Sequence, residues 1–188
     1  MTPARSTYPV DVAGIHRDLP IFEVAPGLRI AVLNILGDTE LVQACAKELA
    51  KRLSHLTYDA IITAEAKSIP LIYALSVETG KKYVVLRKTY KPYMGAALSA
   101  ESYSITTGAP QMLFLDEKDQ DALRGKRVLI LDDVISTGST LSGMRMLMER
   151  IGAEVVGEAA IFTEGDDPSV WKHIIALGNL PLFKSETQ

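Results

Sequence analysis

Val128-Leu129-Ile130-Leu131-Asp132-Asp133-Val134-Ile135-Ser136-Thr137-Gly138-Ser139-Thr140 is the stretch on which the fold turns. Its four leading apolar residues predict a strand buried on both faces, the pattern of a parallel sheet. Two adjacent carboxylates stand at the strand's end. A short turn of hydroxyl residues around Gly138 then opens into a helix. A helix start offers unpaired N–H groups and a partial positive charge, so it holds a phosphate well. Gly138 permits a tight turn and close backbone approach. Ser136, Thr137, Ser139 and Thr140 add hydroxyl donors. Asp132 and Asp133 do not favour that anion by charge; they suit sugar hydroxyls or a magnesium ion. A helix cap accounts for one hydroxyl. It does not account for two acids at a buried strand end, which cost free energy unless paired or liganded.

Working outward, the spacing of Leu141, Met144, Leu147, Met148 and Ile151 predicts a helix over Thr140–Ile151, closed by Gly152. A strand follows over Val155–Phe162, and a last helix is predicted over Pro168–Leu177. Toward the N-terminus, Leu41, Cys45, Leu49 and Leu53 recur every four positions, which predicts an amphipathic helix over Thr39–Leu53. Asp38 and Glu40 suit the positive end of its dipole. Tyr58–Thr63 reads as a strand, Pro70 opens a helix that Gly80 closes, and Tyr83–Leu86 is another strand. Ser102–Thr107 and Gln111–Leu115 flank Gly108-Ala109-Pro110 as a β-hairpin. The first 36 residues, rich in Pro, Gly and short apolar runs, read as irregular strands. Strands alternating with helices argue an α/β fold, with a mainly parallel twisted sheet flanked by helices and sites at the carboxyl ends of its strands. Its 188 residues make one domain.

Composition excludes several classes. The net charge is −3, so no excess of positive charge points to nucleic acid or an acidic membrane. Lys81, Lys82, Arg87, Lys88 and Lys91 nevertheless cluster locally. The single cysteine, Cys45, can form no disulfide within the chain and reads as a buried structural thiol. No apolar core of a signal peptide and no run of about 18 apolar residues is present, so a cytoplasmic protein is expected. Neither GxGxxG nor GxxxxGK[ST] occurs.

The Val128–Thr140 segment resembles the phosphoribosyl pyrophosphate (PRPP) signature of type I phosphoribosyltransferases. The resemblance implies that Asp132 and Asp133 hold the ribose hydroxyls. It assigns the 5′-phosphate to Ser136, Thr137, Gly138, Ser139 and Thr140. Thr63-Ala64-Glu65-Ala66-Lys67-Ser68 is similar to the family's pyrophosphate loop, in which relatives carry a non-proline cis peptide; here that bond falls at Glu65–Ala66. Ser68 stands where many relatives have glycine. Arg87, Lys88 and Lys91 match a basic segment that reaches the pyrophosphate, sometimes from a neighbouring subunit, which implies a homodimer. Residues from about 91 to 111 resemble the mobile loop that closes over the site. Within it Ser102-Tyr103-Ser104-Ile105 is similar to adenine phosphoribosyltransferases, with Thr106 where those enzymes place an acid and Glu101 the nearest carboxylate. Lys91, Glu101 and Tyr103 are therefore the candidates for catalytic roles.

Residues 1–36 would form a hood that reads the base, and 37–188 the PRPP-binding core. Pro26-Gly27-Leu28-Arg29 looks like the adenine enzymes' hood, whereas Asn34 matches a base-reading asparagine of xanthine enzymes. Phe22 and Phe162 are aromatics able to stack a base or to pack in the core. The implied reaction joins the ribose phosphate of PRPP to a purine, with Mg2+ bound mainly through PRPP. Adenine is the first expectation; xanthine, guanine or hypoxanthine is the second. A PRPP-sensing regulator that lost catalysis is the rival, though the chain shows no separate DNA-binding domain and no basic recognition helix.

Overall fold

A computed structural model of the chain describes residues 6–103 and 110–184. The decisive stretch forms a strand, β8 (Arg127–Ile135), at the middle of a five-stranded sheet. Its neighbours are β4 (Ala60–Ala64) and β9 (Glu154–Glu164), with β5 (Lys82–Leu86) and β10 (Ile175–Leu180) at the edges; all four pairings are parallel. Side chains of β8 alternate, as a pleated strand requires. Leu129 and Leu131 enter one core with α1 (Thr39–Arg52) and α2 (Ile69–Thr79). Val128 and Ile130 enter a second core with α3 (Glu117–Leu123) and α4 (Ser139–Ile151). Cys45 is fully buried in the first core, and burial pushes its thiol up to about 12, so it is a packing residue.

The N-terminal segment is an antiparallel sheet of β1 (Thr7–Val12), β2 (Ile15–Ala25) and β3 (Leu28–Ala31). Its fourth strand comes from the far end of the chain: β11 (Leu182–Lys184) pairs with β3. Arg17 ties this hood to the core by a forked pair, with Nε 2.7 Å and Nη2 2.8 Å from the two oxygens of Asp38. Asp38 also caps α1 by accepting from the Leu41 N–H, and Arg17 holds its carboxyl below the usual range. The hairpin β6 (Leu98–Tyr103) and β7 (Pro110–Leu115) lies against α4, contributing Ala100, Leu113 and Leu115 to the second core.

Four elements differ from expectation. The helix expected over Pro168–Leu177 is a short 3-10 turn, Pro168–Trp171, followed by β10. The segment pairs with the long β9, which satisfies its backbone, and Gly178 admits the Phe162 ring to 2.8 Å of where a Cβ would stand. Strand β8 runs four residues beyond Leu131 because β9 extends the ladder to Ile135, so the two acids lie within the strand. The hairpin starts earlier than expected, at Leu98, and residues 104–109 at its turn lie outside those described. Helix α3 was not foreseen: only Leu123 is buried in it, so no apolar period marks it, and Asp116 caps it by accepting from the Lys118 N–H.

Candidate active site

Three strand ends and the hood enclose a cavity of about 360 Å³. Strand β4 delivers the loop Glu65–Ser68, β8 delivers Asp132 and Asp133, β9 delivers Glu164, and β3 with Val32 and Leu33 closes the side. This is the carboxyl end of the parallel sheet, where open α/β folds place their ligands. The Glu65–Ala66 peptide is cis, at the bond the sequence resemblance named.

Ser68 joins the first two walls. Its Oγ lies 2.7 Å from Asp132 Oδ1 and 3.0 Å from Asp133 Oδ1, and it accepts from the Asp133 N–H at 3.0 Å. Burial and the adjacent Asp133 carboxylate push the Asp132 carboxyl up to about 7, against the hydrogen bond from Ser68. Two like charges side by side in a largely buried strand do not both ionise freely, and a sugar's hydroxyl hydrogens are what such a pair lacks.

On the opposite flank Glu65 organises the basic segment. It accepts from Arg87 Nε at 2.5 Å and from the Lys88 N–H at 2.6 Å. Burial would raise its carboxyl, but the Lys88 and Arg87 hydrogen bonds override this and hold it below the usual range. Lys67 and Lys88 line the cavity, whereas Arg87 is engaged with Glu65. Lys91 is exposed just before a 3-10 turn at Pro92–Met94.

A smaller recess of about 100 Å³ continues from Asp132 around the turn Ser136–Thr140. Gly138 holds φ 75° there, and α4 begins at once, so the recess faces a helix start. Thr140 Oγ1 stands 3.5 Å from Gln111 Oε1 of the hairpin.

The remaining expected residues lie elsewhere. Glu101 is exposed on β6, and Tyr103 ends that strand opposite Pro110. Arg29 is exposed on β3, opposite Phe183. Asn34 is exposed and accepts from the Leu36 N–H at 3.3 Å, a turn-forming contact. Glu101, Arg29 and Asn34 line neither recess. Phe162 is buried in the first core.

Glu164 and Trp171 escaped the sequence reading. Glu164 is 8% exposed, and burial raises its carboxyl against a hydrogen bond from Ser136. It had a signal: it closes the strand β9 after a buried run, Ala159–Thr163.

Known proteins share the family and the fold of this chain. The family model described as the phosphoribosyl transferase domain matches residues 32–179. The chain is 30% identical over 149 residues to the adenine phosphoribosyltransferase of Thermosipho africanus, covering 78% of this chain and 84% of that one. It is 33% identical over 154 residues to the hypoxanthine/guanine phosphoribosyltransferase of Methanococcus voltae, covering 82% of this chain and 75% of that one. In fold it matches the crystal structure of adenine phosphoribosyltransferase from Thermoanaerobacter pseudethanolicus with a TM-score of 0.64 at 24% identity, over 93% of this chain and 95% of that one.

Proposed function

The chain belongs to the phosphoribosyl transferase domain family, and from that premise we propose that it transfers the 5-phosphoribosyl group of PRPP to a purine base, adenine first, releasing pyrophosphate. The observation that carries this reading is the convergence of Glu65–Ser68, Asp132 and Asp133 on one cavity that runs into the Ser136–Thr140 recess. In this reading the two acids accept from the ribose hydroxyls, and the recess and helix start hold the 5′-phosphate. Lys67 and Lys88, with Arg87 and Lys91 beside them, face the pyrophosphate. Cations there stabilise the charge that builds on the leaving group as its bond to ribose breaks. The hood and the hairpin shield the reacting ribosyl centre from water.

Magnesium fits these residues as an ion carried by the substrate. Among the described residues no group of three or more His, Cys, Asp or Glu is placed to hold a metal, while Asp132 and Asp133 offer two carboxylates. That is the few-carboxylate setting in which magnesium keeps substrate phosphates and water. Bound there, the ion would offset the pyrophosphate charge. A homodimer is part of the reading; the exposed apolar patch of Tyr73, Val77 and Tyr83 on α2 and β5 supports a covered face. No helix among the described residues is long and apolar enough to cross a membrane.

The deciding assay incubates the protein with magnesium, PRPP and each purine separately, following nucleotide and pyrophosphate. Turnover is expected with at least one base and is expected to vanish in the double variant Asp132→Asn, Asp133→Asn with its fold intact. PRPP binding without turnover on any base would favour the non-catalytic sensor instead.

A further inference from the structure

The turn Ser136–Thr140 has little to stiffen it from within. Gly138 holds φ 75°, and no side chain caps α4 there. Inside the turn, Thr137 Oγ1 stands 3.2 Å from Ser139 Oγ and 3.4 Å from the Ser139 N–H, both long contacts. Glycine has more backbone freedom than any other residue, so a turn that must aim N–H groups at an anion needs a hold from outside. That hold comes from the end of β9 and the segment after it. The Glu164 carboxyl accepts from the Ser136 hydroxyl, and Glu164 lines both the 360 Å³ cavity and a second one of about 590 Å³. Val24 and Leu28 of the hood, Leu182 of β11, and Val170 with Trp171 make this second cavity an apolar chamber. Asp166 and Asp167 also border it, but both are engaged: Asp166 pairs with Lys184 at 2.5 Å, and Asp167 caps the Pro168–Trp171 turn by accepting from the Ser169 N–H at 2.9 Å. Ser136 and Thr137 line the chamber on one side and the 100 Å³ recess on the other. Trp171 lines only the chamber, so it backs the turn from the side away from the recess. One ring carbon lies 2.8 Å from where a Cβ on Gly138 would stand, and two more lie at 3.4 and 3.9 Å. The indole is itself anchored. Its Nε1 donates to the Glu164 carbonyl at 3.3 Å, and the Trp171 carbonyl accepts from the Ile174 N–H at 2.8 Å.

We propose that Trp171 is a positioning residue for the 5′-phosphate: its ring, seated where Gly138 lacks a Cβ, holds the turn with its N–H groups aimed into the recess. The proposal rests on the phosphoribosyl-transfer reading above, and it gives the ring no contact with the phosphate itself. A planar ring with two side-chain torsions fills the space through which Gly138 would otherwise swing. A turn set before the ligand arrives has less freedom to lose on binding, so affinity rises without any added contact. A smaller side chain leaves a void behind the turn and returns that freedom to Gly138, and the phosphate must then order the turn as it binds. Phenylalanine keeps a flat ring against Gly138 and gives up only the bond to the Glu164 carbonyl.

The test uses ribose 5-phosphate, which carries the phosphate but neither base nor pyrophosphate, on the full chain. Trp171 is the single tryptophan, so its emission reads this contact alone. In the wild type, ribose 5-phosphate should change that emission saturably, with the Kd that calorimetry gives. In Trp171→Leu, Kd for ribose 5-phosphate and KM for PRPP should each rise about tenfold, with KM for the base moving less. Trp171→Phe should restore both to within about threefold of the wild type. Thermal melting checks that the variants fold; the emission titration needs no variant and decides the matter if Trp171→Leu does not. Binding of ribose 5-phosphate that leaves the emission unchanged overturns the inference and leaves phosphoribosyl transfer standing. So does an unaltered Kd in folded Trp171→Leu, or a rise in KM for the base that exceeds the rise for PRPP. A wild type that binds neither ribose 5-phosphate nor PRPP sinks the transfer reading, and the inference with it.

Discussion

One hydroxyl serves two carboxylates in this site. Ser68 has a single hydrogen to give, yet Asp132 and Asp133 both stand within hydrogen-bond reach of its oxygen. Without a ligand, the pair is eased most simply by a proton on Asp132, whose carboxyl is raised to about 7. The consequence for stability has a definite sign. A carboxyl raised in the folded state from 3.8 to about 7 supports folding fully below its unfolded value and loses that support as pH rises through about 7. Asp132→Asn carries no such charge. It should be more stable than the wild type at pH 8, on the order of 1–3 kcal/mol after solvent screening, and should converge with it near pH 4. Urea melts at pH 4, 6 and 8 measure the difference, and a variant less stable at pH 8 would contradict the argument. Asp132 and Asp133 were legible from type and position alone, because buried acids demand a reason. Ser68 was legible only as a departure from a pattern; its bridge between the acids depends on a contact 64 residues away in sequence.

At the level of elements, the phosphate turn is the most constrained. Gly138 sits at φ 75°, where an L side chain is strained, and its missing Cβ leaves room for the Trp171 ring. Gly138→Ala should cost about 1–2 kcal/mol of stability and should raise KM for PRPP at least as much as KM for the base; steady-state kinetics with each substrate varied in turn separates the two. The C-terminal strand gives the opposite pattern. Ending the chain after Pro181 removes β11, exposes the edge of β3 and takes away Leu182 from the apolar chamber. KM for the base should rise several-fold and KM for PRPP little; equal effects on both would argue that β11 only stabilises the hood. Helices α1 and α4 could be read from their apolar periods, and α2 from Pro70 at its start and Gly80 at its end. Segment 168–177 could not, since Val170, Ile174, Ile175 and Leu177 suit a helix as well as a strand. The choice fell to β9, which needed a partner along its free edge. Helix α3 hides for a different reason: it is held by its cap and by Gln120 Nε2, which donates to the Ala96 carbonyl at 2.8 Å, rather than by an apolar face.

For the molecule as a whole, the site lies where two sheets that share one core meet. The parallel sheet supplies the charged floor, and the hood sheet, joined through the first core and the Arg17–Asp38 pair, supplies the wall. A ligand that touches both should stabilise the entire fold. Mg·PRPP at 100 times its Kd should add about 2.7 kcal/mol, seen as a rise in Tm that chelation by EDTA reverses. A rise undiminished by EDTA would remove magnesium from the binding step. The dimer is tested by light scattering: a mass twice 20.5 kDa is expected, falling to one chain in Tyr73→Glu with Val77→Glu. What the sequence by itself determined was the alternation of strand and helix, the acids and hydroxyls of Val128–Thr140 and the family they belong to. These are local patterns, written in apolar period, turn chemistry and neighbouring residues. Only the tertiary structure decided that the chain's last strand completes the hood, that Glu65 grips Arg87 and Lys88, and that Glu164 divides the charged cavity from the apolar one. Each of those depends on segments far apart in the chain, which come together only when burial of the two cores draws the strand ends into one place.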